Sequence, residues 1–265
     1  MYLKTICIVV SFWNCCALHA FELPSLDGIT SWFNFIKTED VSAEYPVTQP
    51  AKIIVTNNYG NTTLELWNLP QIKITATKQA RAEEALKATA VITNMTENGG
   101  QSIVTIETKS AEDAQEDKTV VDYTIFVPKG TDIRISHHNK GSVLIKAINY
   151  SPEANARLGN VTVNTTKGSI TVQSENPLTN SMILKTGKGN VSLNIPQMTN
   201  ARLEAHTRKG TITSTIPVTL DPITTKLSGK QWQQMMQHVQ GMLGTESEGF
   251  ISVDVGSGNI EIGNE

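Results

Sequence analysis

The sequence predicts an all-β fold: a single-stranded β-solenoid or β-helix-like repeat domain with a few short helices. Three observations carry that expectation. First, one glycine returns with a constant escort. At Gly60, Gly168, Gly189, Gly210 and Gly258 the residues seven and five positions before are mostly apolar, as are those two and four after. The leading pairs are Ile53/Val55, Val161/Val163, Met182/Leu184, Leu203/Ala205 and Ile251/Val253; the trailing pairs are Thr62/Leu64, Ile170/Val172, Val191/Leu193, Ile212/Ser214 and Ile260/Ile262. Second, Gly168, Gly189 and Gly210 follow one another at a fixed step of 21 residues, and self-similarity at a fixed period marks a repeat architecture. Third, the separation across each glycine is odd, so continuous pleating would send the two apolar pairs to opposite faces. A bend, bulge or hairpin must reset the face there, and glycine permits positive φ without steric cost. An antiparallel β meander or sandwich with the glycine in a hairpin loop also meets the third condition. The maintained step is required by a solenoid and only allowed by a meander.

The elements follow in chain order. Lys4, the apolar stretch Ile6–Trp13 and Ala17-Leu18-His19-Ala20 form a leader over residues 1–20, with cleavage expected after Ala20. Its core is shorter than the roughly 20 apolar residues a membrane span needs. Cys7, Cys15 and Cys16 all lie within it, so the chain after cleavage has no thiol for disulfides or metal. Lipidation at Cys15 or Cys16 is the alternative fate, but Trp13 and Asn14 are a poor approach to such a site. Residues 21–50 are expected to be a helical cap or linker, on the helical spacing of Leu26, Ile29, Trp32, Phe33 and Ile36. A repeat domain then fills 51–265. Within it, 79–90 is rich in Ala, Glu and Lys and predicts a helix, while 102–108 and 119–127 predict strands flanking a charged, solvated stretch. Gly141 belongs to the repeat with one slip, since Ile133/Ile135 stand one residue further from it. The 27-residue interval from Gly141 to Gly168 places a six-residue insertion at the loop holding Pro152. Residues 228–244 predict an inserted helix, Ser228 capping its start, Gly244 ending it, and Trp232, Met235, Met236, Val239, Met242 and Leu243 sharing one stripe. That stripe suits either a partner- or membrane-facing surface or, better, a cap over an open end or face of the solenoid.

Three motifs carry a resemblance. Asn57-Asn58-Tyr59-Gly60-Asn61 opens the domain, Tyr123-Thr-Ile125-Phe-Val127-Pro128-Lys-Gly130 follows in its middle, and Gly-(Ser/Asn/Thr)-(Ile/Val)-x-(Val/Leu) units repeat thereafter. In these the chain resembles the bacterial putative-adhesin family of β-strand-repeat domains, over roughly residues 50 to 262. The resemblance implies an exported β-rich domain and supplies no catalytic residues.

The chemistry in the sequence is sparse. His137, His138, His206 and His238 show no metal-ligand spacing and are expected to be solvated strand residues. Gly187-Lys188-Gly189 lacks the surroundings of a phosphate loop, and Gly256-Ser257-Gly258 is explained by turn chemistry. The carboxylates Asp122, Asp132, Glu204 and Asp254 are scattered over different strands. Asn-x-Ser/Thr sequons, as at Asn61, Asn94, Asn160 and Asn190, arise readily in Asn- and Thr-rich strands. No catalytic, cofactor or metal residues are therefore assigned. One constellation stands out. Lys140, Lys167, Lys188 and Lys209 each immediately precede a repeat glycine, with Arg208 beside the last. Stacked corners would line them up as a basic ridge for an anionic ligand, although lysines also serve simply to guard sheet edges. A formal net charge of −3 over 265 residues gives no drive toward nucleic acid.

The expected function is a non-catalytic, exported scaffold or adhesion-type interaction protein of the bacterial envelope, periplasmic or on the cell surface. Its partner is an envelope protein or an anionic glycan, with no cofactor and no transmembrane segment after the leader. The alternative is a carbohydrate-active β-helical enzyme of the polysaccharide lyase or hydrolase type, which would need two or more carboxylates converging in a cleft.

Overall fold

The computed structural model describes residues 36–110, 119–148, 157–220 and 237–263. Among them are nineteen strands and one helix. The chain starts with β1 (Lys37–Pro46), β2 (Ala51–Tyr59), β3 (Thr62–Trp67) and β4 (Gln71–Ala80). The short helix α1 (Glu83–Ala88) leads to β5 (Thr89–Asn98), β6 (Gln101–Ser110) and β7 (Val120–Pro128). Next come β8 (Asp132–Lys140), β9 (Val143–Ala147), β10 (Val161–Lys167), β11 (Ile170–Ser174), β12 (Ser181–Lys188) and β13 (Val191–Asn194). The chain closes with β14 (Ala201–Thr207), β15 (Ile212–Ser214), β16 (Val218–Leu220), β17 (His238–Leu243), β18 (Gly249–Ser257) and β19 (Ile260–Gly263). Alternating burial along most of these strands matches the period-2 placement of Ile, Val and Leu.

The strands form two large mixed sheets. One runs β1-β4-β7-β3-β9-β11-β13-β19-β15 and the other β16-β17-β14-β18-β12-β10-β8-β2-β6-β5. Pairing is parallel through the middle of both and antiparallel at both ends of the second sheet and one end of the first, in β1–β4, β4–β7, β5–β6, β14–β17 and β16–β17; the other end of the first, β15–β19, is parallel. Each glycine unit gives one strand to each sheet, and the inner faces share a single hydrophobic core. The apolar positions recognised in the sequence stack as columns. Ile53, Ile133, Val161, Met182, Ile251 and Leu203 are successive neighbours in register, and Val55, Ile135, Val163, Leu184, Val253 and Ala205 form the next column. All of these side chains are at most 2% exposed, and each large one contributes about 1.5–3 kcal/mol by burial.

Spatial order departs from chain order at both ends. The β6/β7 unit lies outside β2/β3, and β8/β9 pairs on the other side of β2/β3. At the far end β18/β19, last in the chain, sits between β12/β13 and β14/β15. Leu203 therefore does not pack beside Met182, as the 21-residue step suggests; Ile251 stands between them.

The slip before Gly141 is a β-bulge. Asn57 pairs with His137 but Tyr59 with Lys140, so β8 carries one extra residue there. Other expectations need correction. The helix expected over 79–90 shrinks to Glu83–Ala88, because Gln79 and Ala80 pair with Val120 and Lys37, and Thr89 and Ala90 with Ser110 and Lys109; ladder pairing overrides helix propensity. Within 21–50, Lys37–Pro46 is a strand antiparallel to β4; the helical spacing that begins at Leu26 falls largely outside the described residues. The helix expected over 228–244 is, in its described part, the strand β17. Val239, Gly241 and Leu243 lie opposite Ala205, Leu203 and Ala201, where a free sheet edge rewards an alternating pattern that a helix would not use. Residues 228–236 lie outside the described residues.

Candidate functional site: a lysine-lined corner groove

The corner that joins the two sheets is built by the repeat glycines. A Cβ on Gly168 would overlap the carbonyl of Gly141, one on Gly189 that of Gly168, and one on Gly258 that of Gly189. The chain turns here by close backbone approach, which only glycine allows. Hydrogen bonds continue without a break around the turn. The amides of Gly60, Gly141, Gly168, Gly189 and Gly258 donate to the carbonyls of Lys140, Lys167, Lys188, Ser257 and Lys209, at 2.8–3.0 Å. Immediately beyond, Thr62, Val143, Ile170, Val191 and Ile260 donate to Ser142, Ser169, Asn190, Asn259 and Thr211, at 2.9 Å each.

The residue after each glycine forms a second ladder through its side chain. Asp122 accepts from the Asn61 amide at 2.7 Å, Asn61 Oδ1 from Ser142 at 3.0 Å, and Ser142 Oγ from Ser169 at 3.2 Å. Ser169 Oγ then accepts from Asn190, Asn190 Oδ1 from Asn259, and Asn259 Oδ1 from Thr211. This is the physical reason for Asn, Ser or Thr after the glycine.

Three residues before the glycine, the side chain turns inward beneath the corner. Thr165, Thr186 and Thr207 donate to the carbonyls of Gly141, Gly168 and Gly258 at 2.9–3.1 Å. Asn57 and His137 occupy the equivalent places at the other end of the stack. Asn57 Nδ2 donates to Val121 O at 2.8 Å, and its Oδ1 accepts from Thr108, whose hydroxyl also meets the Tyr123 hydroxyl at 2.6 Å. Burial pushes the Tyr123 phenol up to about 12, against a smaller opposing effect from its bond to Thr108. His137, expected in solvent, is instead 3% exposed, with Nε2 2.9 Å from Thr62 Oγ1. Burial lowers its pKa; the Gly141 backbone opposes this and His138 adds to it. Its Nδ1 has no hydrogen-bond partner. His138 next to it is exposed, as alternation on a strand requires.

The lysines stand on the outside of this corner. Lys140 pairs with Tyr59, Lys167 with Lys188, and Lys188 with Ser257, so the row runs Tyr59, Lys140, Lys167, Lys188, Ser257, Lys209. All four lysines and Arg208 are exposed. Ser257 separates Lys209 and Arg208 from the other three, an interruption that comes from the late return of β18. Among the described residues no carboxylate pairs with any of the five. Tyr59, Asn61, Val120, Ser142, the three adjacent lysines and the glycines between them line a groove of 430 Å³.

Of the carboxylates singled out in the sequence, Asp122 ends the corner ladder at Asn61, and the other three are engaged elsewhere. Asp132 accepts from Asn160, Glu204 from Gln240 Nε2, and Asp254 lies 3.2 Å from His206 Nδ1. His206 and His238 face each other across β14 and β17. Among the described residues no group of three or more His, Cys, Asp or Glu is placed to hold a metal ion. A second cleft, of 520 Å³, lies at the far ends of β11 and β13 between Gln173, Glu175, Asn194 and Met198; its lining holds one carboxylate, Glu175. No described helix is long and apolar enough to cross a membrane.

No family model matches the sequence, and no curated protein does. Solved structures do match. A protein described as a "putative cell adhesion protein" from Clostridium sporogenes superposes with a TM-score of 0.56 at 14% identity, covering 87% of this chain and 100% of its own. Proteins described as a "putative adhesin", from Bacteroides fragilis and Parabacteroides merdae, match with TM-scores of 0.29 and 0.24 at 10% and 12% identity. The first covers 84% of this chain and 96% of its own, the second 68% of each. In fold, over 87% of its length, this chain is similar to the "putative cell adhesion protein" from Clostridium sporogenes.

Proposed function

We propose that the chain is a non-catalytic, exported scaffold of the bacterial envelope or cell surface, working by adhesion-type interaction, with its glycine units wound as a two-sided β-solenoid. The observation that carries this is the corner. Backbone hydrogen bonds pass through it from one sheet to the other, so the units behave as rungs rather than as strands of two separate sheets. Rungs that contact only their neighbours give a long, rigid surface, which suits binding more than chemistry. The Asn and Ser oxygens along it cap the neighbouring unit, and neither cleft described above brings two carboxylates together as glycoside cleavage needs. The similarity in fold to a protein described as a "putative cell adhesion protein" agrees with this reading, and the leader over residues 1–20 supplies the route of export.

The test is to express the full chain in a bacterial host and determine its location and N-terminus by fractionation and mass spectrometry. Attachment of those cells to an abiotic surface is then scored against cells lacking the protein. Recovery in the envelope or medium with Phe21 at the N-terminus, together with increased attachment, is expected. Cytoplasmic retention with an intact leader, or unchanged attachment, would overturn the proposal.

A further inference from the structure

We infer that the corner groove binds a linear acidic polysaccharide lying along the stack, across the rungs. The inference adds a ligand class to the scaffold reading and rests on the composition of the groove walls. One wall is the exposed row Lys140, Lys167 and Lys188. The rest of the lining is Asn61 and Ser142 of the ladder, Tyr59, Val120 and the glycine backbone at Gly60, Gly141 and Gly168. The ladder fixes the polarity of its wall. The Asn61 Oδ1 and Ser142 Oγ atoms each already accept an amide hydrogen from the neighbouring unit. One acceptor position on each oxygen is thereby engaged, while the amide NH2 and the hydroxyl proton remain to donate. With three ammonium groups alongside, donors outnumber acceptors in the groove, which suits anions more than cations.

Repetition points to a polymer. Corresponding residues of adjacent rungs are about 4.8 Å apart, near the length of one hexose unit, so successive lysines meet successive acidic sugars. Tyr59, in register with Lys140, closes the end of the row with an aromatic ring of the kind sugars pack against. A polynucleotide is a poorer fit. Its binders line the channel with stacking aromatics and a basic excess, whereas here one aromatic lines the groove and the net charge is −3. The interruption at Ser257 limits the continuous site to three rungs.

The experiment measures binding of the full chain to alginate, a linear polyuronate, with neutral dextran and oligothymidylate as comparators, at low salt. Two variants carry equal charge loss: Lys140→Gln/Lys167→Gln/Lys188→Gln at the corner, and Lys52→Gln/Lys129→Gln/Lys185→Gln elsewhere. Thermal unfolding checks that both fold, and replacing the corner lysines by arginine provides a charge-preserving third variant. Alginate should bind the parent, weaken at least ten-fold in the corner glutamine variant alone, and recover in the arginine variant, with dextran unbound throughout. The proposal is overturned if alginate does not bind, if the corner variant binds unchanged, or if the distal variant loses as much. Oligothymidylate binding as tight as alginate would overturn the polysaccharide assignment. Any of these failures leaves the scaffold reading to its own test of location and attachment.

Discussion

Replacing Gly168 by alanine separates the two demands the corner makes on its glycine. Gly168 has φ +149°, and a Cβ there would run into the Gly141 carbonyl and the Ser142 amide. A backbone conformation this rare for an L-residue costs about 1–3 kcal/mol. The overlap with main-chain atoms adds the cost of forcing rungs apart, about 1–3 kcal/mol by analogy with overpacked cores. Gly168→Ala should therefore lose about 2–6 kcal/mol. Gly100→Ala is the control for conformation alone, because its φ is +82° and nothing lies within 4 Å of the added Cβ; it should lose about 1–2 kcal/mol. Gly141→Ala is the control for overlap alone, since its Cβ would meet the Gly60 carbonyl without a positive φ, and it should fall between the two. Urea unfolding followed by circular dichroism ranks the three, and a loss of about 3 kcal/mol corresponds to roughly 6–12 °C in Tm for a domain of this size. If Gly168→Ala is no more destabilising than Gly100→Ala, close rung approach is not what the glycine is for.

Further predictions concern the buried polar groups beneath the corner. His137 is held neutral by burial, whereas in the unfolded chain it titrates near its ordinary pKa of about 6.5. The unfolded chain thus binds the extra proton, so this group's contribution is full above that pH and is lost as pH falls toward the folded value. Urea midpoints between pH 7.5 and 5 should fall with a slope that His137→Asn reduces by up to about 1.4 kcal/mol per pH unit; an unchanged slope would contradict it. Tyr123, with its pKa about 12, should be among the last tyrosines to ionise in an absorbance titration, and its contribution to stability should decline as pH rises from about 10 through 12. Thr108→Val removes the hydroxyl shared by Asn57 and Tyr123 and should destabilise by about 2–6 kcal/mol, each orphaned partner costing about 1–3; a loss under 1 kcal/mol would show that the chain of hydroxyls is not needed.

The paired apolar positions were legible because each glycine fixes the parity of its flanks. The columns from Ile53 to Leu203 follow from residue spacing alone, and the slip before Gly141 marked the bulge in β8. Rung order was not legible. Ile251 packs between Met182 and Leu203 although it is 48 residues beyond Leu203, and nothing local in a strand records which edge it will join. The segment around Val239 and Leu243 shows the same limit from another side, since its apolar residues fit a helical stripe and a strand equally well until β14 offers an edge. The lysine row was foreseen as a continuous ridge, but its break at Ser257 depends on rung order and so could not be. The donor character of the groove was also out of reach, because it emerges only when the Asn and Ser oxygens are seen to cap the next rung. His137 was expected in solvent, although its alternation with Ile133 and Ile135 places it on the inward face of β8; a polar side chain on that face becomes explicable only once Thr62 is seen to meet it.

The central claim is that the corner row is stacked out of chain order, with Ser257 between Lys188 and Lys209. Disulfide trapping tests it directly in full-length chain whose Cys7, Cys15 and Cys16 are replaced by serine. Adjacent rungs hold corresponding Cα atoms about 4.8 Å apart, within disulfide reach, while alternate rungs at about 9.6 Å exceed the roughly 7 Å limit. Mild oxidation should cross-link Lys188→Cys/Ser257→Cys to near completion and leave Lys188→Cys/Lys209→Cys reduced. Cross-linking of the second pair in preference to the first would mean that the rungs follow the chain, and the interrupted groove described here would not exist.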